Sequence, residues 1–296
     1  MNEKVSINVP KEFSYDECMV YINRCQLECM HRVSNGELYK LISLDNQPVL
    51  LKIGFDGNKL SVIFLNGHFN KGIKGKAIKY VQYMFDFGTN LSEFYESIDD
   101  EVLKPLLDKY YGLRIFKINH LFEALCWSVI GQQINLKFAY TLKKRFVEKY
   151  GEGLNFDGKD YWLFPKPDAI ADLDIDDLRV LQFTQRKAEY IIGLAKCFVD
   201  GIIKEEELRE SNNYGYIVDK LTAIRGIGKW SADYTIMKCF PINCAFPIAD
   251  VGIHNALKNI LKLDKKPSIA EIEAMAKQWK GWESYAAFYL WRSLYD

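Results

Sequence analysis

The feature that most restricts the fold of this chain is a glycine turn between two segments with helical periodicity. It lies in the stretch L-T-A-I-R-G-I-G-K-W-S-A-D-Y-T-I-M-K, residues 221–238, where Gly226 and Gly228 enclose one isoleucine. Glycine adopts positive φ easily and lets another backbone approach closely. The pattern therefore predicts a helix, a tight hairpin anchored by the apolar Ile224 and Ile227, and a second helix whose first amides point outward.

The start of this second helix is predicted to bind an anion. Unpaired N–H groups and the positive end of the helix dipole favour a phosphate, and Lys229 adds a positive charge beside them. Such a contact would position a DNA duplex without reading its sequence. The residues of the turn taken alone equally permit an ordinary glycine-rich connection between packed helices.

Composition indicates a folded chain of about two domains. The 296 residues are 49% hydrophobic, which is typical of globular proteins. No apolar run approaches the roughly 18 residues that a membrane span needs, and the first ten residues lack the apolar core of a secretory signal. We therefore expect a cytoplasmic monomer that does not contact a membrane.

Charge is balanced over the whole chain but uneven along it. Lys and Arg number 39, and so do Asp and Glu, which by itself disfavours nucleic-acid binding. Residues 221–262 nevertheless hold five basic and two acidic side chains, and local charge matters more than the total where a surface meets phosphate. The basic residues could also form an ordinary solvated helix face.

The seven cysteines do not indicate a disulfide framework. Their spacing is irregular and includes no C-x-x-C pair, so reduced thiols are expected. By count alone, Cys18, Cys25 and Cys29 could hold zinc, but no fourth ligand follows at the spacing of a metal site.

The chain divides into a β-rich part and a helical part. Residues 36–67 alternate apolar and polar side chains, with turn residues in D-N-Q-P and D-G-N, which predicts an antiparallel meander. From Asn119 onward the long segments carry the 3.6-residue period of helices. We predict an α+β protein with a β-rich domain and flanking helices over residues 1–110, followed by an all-helical domain over residues 111–296.

Several blocks in the second part resemble the helix–hairpin–helix superfamily of base-excision DNA glycosylases, of the 3-methyladenine DNA glycosylase II type. The blocks are Y-G-L-R-I, F-E-A-L-C-W-S-V-I-G-Q-Q-I, I-R-G-I-G-K-W-S-A-D-Y, F-P-I-A-D-V-G-I and W-K-G-W-E-S-Y-A-A-F-Y-L-W. The resemblance runs from about Tyr111 to the C-terminus, and the β-rich first part fits the family's N-terminal sheet domain. It implies that alkylated purines such as 3-methyladenine and 7-methylguanine are flipped out of duplex DNA and released by hydrolysis of the N-glycosidic bond.

The resemblance also implies roles for single residues. The family's catalytic aspartate follows the hairpin by about twenty residues at a helix start, and that position is Asp250. Trp230, Tyr234, Trp291 and Gln132 are implied around the flipped base, where aromatic faces suit purines that carry positive charge. Without the resemblance, Asp250 reads as a good helix N-cap, and each aromatic residue could belong to the core.

A second group of residues is implied to contact DNA. Gln133 matches the wedge that fills the gap left by the flipped base, although a well-known branch of the family has leucine there. Gly226, Gly228, Lys229 and Ser231 match the phosphate-binding hairpin.

The resemblance further implies a monovalent cation at the hairpin and no other cofactor. Na⁺ or K⁺ would be held by the main-chain carbonyls of Thr222, Ile224 and Gly226. Val251 departs from relatives that have an aromatic residue beside the aspartate, which leaves the shape of the base pocket open.

Three alternative functions make different demands on the sequence. A relative of the endonuclease III type would need four cysteines for an iron–sulfur cluster after the catalytic aspartate, and no cysteine follows Asp250. An 8-oxoguanine glycosylase with lyase activity would need a lysine at the position of Trp230. A non-catalytic helix–hairpin–helix module would bind DNA but would need neither Asp250 nor the aromatic cluster.

Overall fold

A computed structural model describes residues 3–296 and shows a five-stranded antiparallel sheet followed by a mainly helical part. The strands of the sheet in chain order are β1 (Lys4–Asn8), β2 (Arg32–Ser34), β3 (Glu37–Leu44), β4 (Gln47–Phe55) and β5 (Lys59–Phe64). Their order in space is β1-β5-β4-β3-β2, and every neighbouring pair is antiparallel. The predicted meander over residues 36–67 is confirmed, and β1 and β2 extend it on both edges.

The turn between β3 and β4 fixes the register of the sheet. Asp45 and Asn46 have φ of 50° and 59°, and a two-residue type I′ hairpin requires positive φ at both central positions. Asp and Asn accept such values more readily than most residues. The resulting register pairs Ile42 with Val49, and both side chains are buried in the core.

Fifteen α-helices accompany the sheet in residues 3–296. Four of them lie in the first 110 residues: α1 (Tyr15–Ile22), α2 (Lys71–Met84), α3 (Leu91–Ser97) and α4 (Lys104–Lys109). The others are α5 (Leu121–Gly131), α6 (Leu136–Tyr150), α7 (Asp168–Ala171), α8 (Ile175–Arg179), α9 (Gln185–Val199), α10 (Glu205–Ser211), α11 (Tyr214–Thr222), α12 (Lys229–Cys239), α13 (Val251–Ile260), α14 (Ile269–Ala276) and α15 (Glu283–Arg292). The predicted α+β class, with a β-rich part followed by a helical part, is confirmed.

A β-hairpin that was not predicted from the sequence interrupts the helical part. It consists of β6 (Glu152–Phe156) and β7 (Lys159–Leu163), joined by a two-residue turn with positive φ at Asp157 and Gly158. Tyr161 of β7 packs with Leu41 and Leu50 of the sheet. These two leucines face away from the main core because neighbouring strand residues point to opposite faces. The second part of the chain thus covers the outer face of the first.

The sheet and the helices also share a core and a buried arginine. One continuous cluster of buried apolar side chains contains residues of both parts. Arg114, from the Y-G-L-R-I block, is 1% exposed and donates to the main-chain carbonyls of Glu12, Asp86 and Thr89. A buried guanidinium needs such partners because losing its hydration is costly. Arg114 therefore holds three segments together.

Neither a membrane segment nor a metal cluster is found in the described part of the chain. No helix in residues 3–296 combines the length and the apolar character that crossing a bilayer requires. Within these residues, no three His, Cys, Asp or Glu side chains gather as metal ligands. The cysteines, Cys18, Cys25 and Cys29 included, are free.

Candidate active site

The glycine turn lies between α11 and α12, as the spacing predicts. Ile224 and Ile227 are 7% and 4% exposed and anchor the turn in the core. Gly226 has φ of 95°, and a Cβ at this position would lie 2.3 Å from the ring of Tyr190. A larger residue would need both an unfavourable backbone and a displaced ring. The hairpin therefore requires glycine at position 226.

Gly228 differs from Gly226 because its backbone does not require glycine. Its φ of −91° and ψ of 179° are open to any residue. Among residues 3–296, a Cβ at this position would have no neighbour within 4 Å. Gly228 is the N-cap of α12 and has no side chain to accept from the first amides of that helix. The arrangement leaves an open helix start, which is a suitable place for an anion from outside the chain.

Four N–H donors surround the carboxylate of Asp250. Its Oδ1 accepts from the amides of Gly252 at 2.8 Å and Ile253 at 3.4 Å, so the predicted N-cap of α13 is confirmed. Trp291 Nε1 donates to Oδ1 at 2.8 Å, and Trp230 Nε1 donates to Oδ2 at 3.1 Å. An ionised carboxylate only accepts hydrogen bonds, so four donors match that form. The carboxylate is thereby held in one orientation, and the start of α13 favours its negative charge.

Gly252 makes this close arrangement possible. A Cβ on Gly252 would lie 2.8 Å from Asp250 Oδ1 and 3.0 Å from the indole of Trp291. Both distances are too short for a side chain to fit without displacing its neighbours. Gly252 is thus a site residue that the sequence motifs did not single out.

A cavity of about 260 Å³ opens beside Asp250. Three of the predicted aromatic residues, Trp230, Tyr234 and Trp291, form part of its wall. The rings of Trp230 and Tyr234 are stacked, with centroids 5.7 Å apart and planes at 24°, and the centroids of Tyr234 and Trp291 are 6.0 Å apart. Aromatic faces attract flat rings and cations. The carboxylate and the aromatic wall therefore meet in one place.

Other parts of the wall were not predicted from the sequence. Tyr21 and Arg24, at the end of α1 and just after it, line the same cavity, as does Trp127 of α5. Tyr21 reaches this place because α1 packs on α15, where the rings of Tyr21 and Phe288 are 4.5 Å apart. No spacing or motif marks Tyr21 and Arg24, since only tertiary packing brings the first part of the chain to the cavity. Trp127 lies in the block F-E-A-L-C-W-S-V-I-G-Q-Q-I, but no role was predicted for it.

Gln132 lies against the hairpin rather than in the cavity wall. Its Nε2 donates to the carbonyl of Gly226 at 3.0 Å and to Ser231 Oγ at 3.1 Å. Ser231 is 2% exposed, and its hydroxyl is hydrogen-bonded inside the protein. Its main-chain N–H, at the open start of α12, is the group that could bind a phosphate. Gln133 is exposed, with φ of 55°, in the loop between α5 and α6. The side chain of Gln132 thus ties the loop that carries Gln133 to the hairpin.

Lys229 is directed away from the cavity. Its Nζ donates to the two carboxylate oxygens of Asp233 at 2.7 Å and 2.6 Å and also to the hydroxyl of Tyr214. Burial raises the pKa of Asp233, and the hydrogen bond from Lys229 opposes that shift. Among the described residues that line the cavity, none is a lysine. Residues 3–296 therefore place no amine in the cavity wall beside Asp250.

A family model described as "HhH-GPD superfamily base excision DNA repair protein" matches residues 126–283. The chain belongs to this superfamily. Over its full length it is 40% identical to the DNA-3-methyladenine glycosylase of Bacillus subtilis, of which it covers 98%. It is 27% identical over 180 residues to DNA-3-methyladenine glycosylase 2 of Escherichia coli, which is 61% of this chain and 60% of that protein.

Solved structures of DNA glycosylases show the same fold. The 3-methyladenine DNA glycosylase of Archaeoglobus fulgidus superposes with a TM-score of 0.83 at 23% identity, over 99% of this chain and 98% of that one. An 8-oxoguanine glycosylase/lyase of Clostridium acetobutylicum in complex with double-stranded DNA superposes with a TM-score of 0.75 at 19% identity, over 99% and 97%. At these identities the likeness concerns the fold alone.

Proposed function

We propose that this protein is a monofunctional DNA glycosylase that hydrolyses the N-glycosidic bond of alkylated purines in duplex DNA. The observation that carries the proposal is the carboxylate of Asp250, fixed by two indole N–H groups beside an aromatic cavity. The 40% identity to a DNA-3-methyladenine glycosylase over the whole chain supports this class of substrate.

The cavity would receive the flipped base. Trp230 and Tyr234 offer stacked aromatic faces four residues apart on one side of α12. A purine alkylated at a ring nitrogen often carries a positive charge, and the quadrupole of an aromatic ring attracts such a charge. Extrusion costs least for a base that is already damaged or poorly paired, which adds selectivity before any chemistry occurs.

Asp250 would act on the sugar. When the C1′–N bond breaks, its electron pair leaves with the base and positive charge develops on the sugar. The fixed carboxylate stabilises that charge, because it is oriented before the reaction and needs no rearrangement. A water molecule then bonds to C1′ and loses a proton, and the product is an intact strand with an abasic site.

Hydrolysis is favoured over a lyase reaction by the composition of the cavity. A glycosylase that also cuts the strand attacks the sugar with an amine and forms a Schiff base. Position 230 is tryptophan, and the amine of Lys229 is bound to Asp233 on another side of α12. Water is therefore the nucleophile in the proposed reaction.

The hairpin and the neighbouring loop would hold the duplex. A phosphate fits the open helix start at Gly228 and contacts main-chain amides there, which positions DNA of any sequence. Gln133 stands exposed on its loop and would fill the gap left by the flipped base. We propose that the protein binds damaged double-stranded DNA in this way as a monomer.

A monovalent cation at the hairpin is a separate proposal, supported by the resemblance of the sequence. The carbonyl of Ile224 accepts from the amide of Ile227, and that of Gly226 accepts from Gln132. Each carbonyl oxygen keeps a second lone pair, so these two oxygens and that of Thr222 suit Na⁺ or K⁺. The ion would stiffen the turn that binds phosphate and would take no part in breaking the bond.

The test is to incubate the protein with duplex DNA treated with a methylating agent and to identify released bases by chromatography. We expect free 3-methyladenine and 7-methylguanine, with strands that break only after heating with base. Borohydride added during turnover should trap no protein–DNA adduct. Duplex binding without any released base would instead identify a non-catalytic module, and an adduct lost in Lys229→Ala would identify a lyase.

A further inference from the structure

The cavity beside Asp250 contains a basic side chain that no motif marks, Arg24. Its Nη1 donates to the carbonyl of Tyr21 at 2.8 Å. Its guanidinium lies 3.8 Å from the centroid of the Tyr21 ring and 5.7 Å from that of Tyr140. The side chain is therefore held in the wall between aromatic rings.

Arg24 is half-buried and has no carboxylate partner among residues 3–296. Among residues 3–296, no carboxylate oxygen lies within 4 Å of it, and the nearby Glu28 is paired with Lys143 at 2.6 Å. The hydrogen bonds of the described residues use one nitrogen of Arg24, whereas a guanidinium has five N–H donors. The other donors of this half-buried side chain are therefore available to a group that enters the cavity.

We propose that Arg24 determines base specificity and favours neutral purines with a carbonyl at C6, such as hypoxanthine, over cationic alkylated purines. The proposal rests on the proposed function, since it assigns a role within the same cavity. Arginine recognises the O6 and N7 acceptors of a purine with two parallel N–H donors. An adenine-type base presents an amino group at C6, which is itself a donor.

The departing base gives a second reason for this preference. A cationic purine such as 3-methyladenine takes the electron pair of the C1′–N bond and leaves as a neutral molecule. A neutral purine such as hypoxanthine takes the same pair and becomes an anion, which water then protonates. A guanidinium that donates to O6 stabilises this anion more than it stabilises the bound base, so it lowers the barrier for neutral bases. The same fixed charge repels a cationic base in the cavity.

The test compares two substrates and three variants. Single-turnover excision is measured for hypoxanthine in a synthetic duplex and for 3-methyladenine in methylated DNA. Arg24→Met removes the charge and keeps the length of the side chain, and Arg24→Lys keeps the charge but loses the planar donors. Arg32→Met is the matched control, because Arg32 is exposed on β2 outside the cavity.

The expected result is a change in the ratio of the two rates. Arg24→Met should lower hypoxanthine excision about 10- to 100-fold, as expected for lost hydrogen bonds from a charged donor, while 3-methyladenine excision stays within about threefold or rises. The rate of hypoxanthine excision by Arg24→Lys should lie between the rates of the parent and of Arg24→Met. If Arg24→Met does not fold, the comparison is made between Arg24→Lys and the parent. Arg32→Met should match the parent with both substrates.

Several results would overturn the proposal. An equal loss with both substrates would show that Arg24 only supports the fold of the cavity. Weaker binding of the Arg24→Met variant to undamaged duplex, with a smaller salt dependence, would show a phosphate contact instead. A parent protein that releases 3-methyladenine but no hypoxanthine would refute the role of Arg24 and leave the proposed function standing. A parent protein that releases neither base would refute the proposed function itself.

Discussion

Replacing Asp250 with asparagine should remove the negative charge of the site while keeping most of its hydrogen bonds. Asparagine is as good an N-cap as aspartate, and its oxygen can still accept from the Gly252 amide and from Trp291. Its NH₂ group would then face the Nε1 donor of Trp230, which now donates to Oδ2 at 3.1 Å. Two N–H donors would face each other there without an acceptor, which should lower the free energy of unfolding by about 1–3 kcal/mol. We expect a folded protein with a modestly lower Tm.

The loss of charge should have a much larger effect on the rate. A carboxylate about 4 Å from a unit positive charge stabilises it by about 4 kcal/mol at an effective dielectric constant of 20. In bound 3-methyladenine the positive charge lies on the base, and in the transition state it moves to the sugar beside the carboxylate. Only the difference between these two positions lowers the barrier, so this amount is an upper limit, which corresponds to a fall of up to about 10³-fold in the excision rate.

The assay is single-turnover release of 3-methyladenine from methylated duplex DNA, with duplex affinity measured in the same buffer. Asp264→Asn is the matched control, because Asp264 is exposed beyond α13 and undergoes the same chemical change. We expect unchanged affinity in both variants and a slow rate in Asp250→Asn alone. Excision by Asp250→Asn within a few-fold of the parent rate would refute the electrostatic role of this carboxylate.

Three further substitutions test other features. Gly228→Val should change the free energy of unfolding by at most about 1 kcal/mol but should weaken binding to all duplex sequences alike, because the side chain obstructs the phosphate site. If the salt dependence of DNA binding were the same for the variant and the parent, the hairpin would not contact DNA. Gly252→Ala places a Cβ 2.8 Å from Asp250 Oδ1. This overpacking should cost about 1–3 kcal/mol of stability and should slow excision more than it weakens DNA binding. Equal excision rates for the variant and the parent would contradict this prediction. Burial lowers the pKa of His31 to about 4, from 6.5. As pH falls from 6.5 towards 4, the unfolded chain therefore binds a proton at His31 that the folded chain does not bind. The folded state should lose about 2 kcal/mol between pH 7 and pH 4.5, and urea unfolding should show that His31→Gln removes this loss.

The parts of the fold that follow from short-range patterns were predictable. The alternation over residues 36–67 gives β3 to β5 because one face of the sheet is buried. The hairpin follows from the spacing of Gly226 and its isoleucine neighbours. The N-cap at Asp250 follows from its place before the helical pattern of α13. In each case the residues that cause the local structure are adjacent in the sequence.

The hairpin of β6 and β7 shows a local signal that was present but outweighed. The Asp157-Gly158 pair between short alternating segments is a strong indication of a two-residue β-turn. Helical periodicity on both sides, in α6 and α9, favoured a continuous helical domain instead. The two strands gain stability from the outer face of the N-terminal sheet, where Tyr161 packs on Leu50. An isolated two-stranded hairpin is marginal in water, so this element depends on tertiary contacts.

The site was only partly predictable for the same reason. Trp230 and Tyr234 share a helix face and could be paired from their spacing of four residues. Arg24 reaches the cavity from the bend just after α1, which is distant in sequence, and Gly252 matters through the space that it leaves for Trp291. Neither property leaves a pattern in the neighbouring residues. Gln132 was expected at the pocket edge, yet hydrogen bonds to the hairpin decide its place.

Two connections link the proposed DNA contacts to the carboxylate. Trp230 lies two residues after the N-cap Gly228 and donates to Asp250, so in the proposed complex a phosphate at the start of α12 would stand at a fixed distance from the sugar. Gln132 joins the same hairpin to the loop that carries Gln133. Catalysis depends on holding groups within fractions of an ångström of the productive geometry. The loop that carries Gln133 is hydrogen-bonded to Gly226 and Ser231, and the carboxylate of Asp250 is hydrogen-bonded to Trp230. A shift of the hairpin and the start of α12 should therefore move both together.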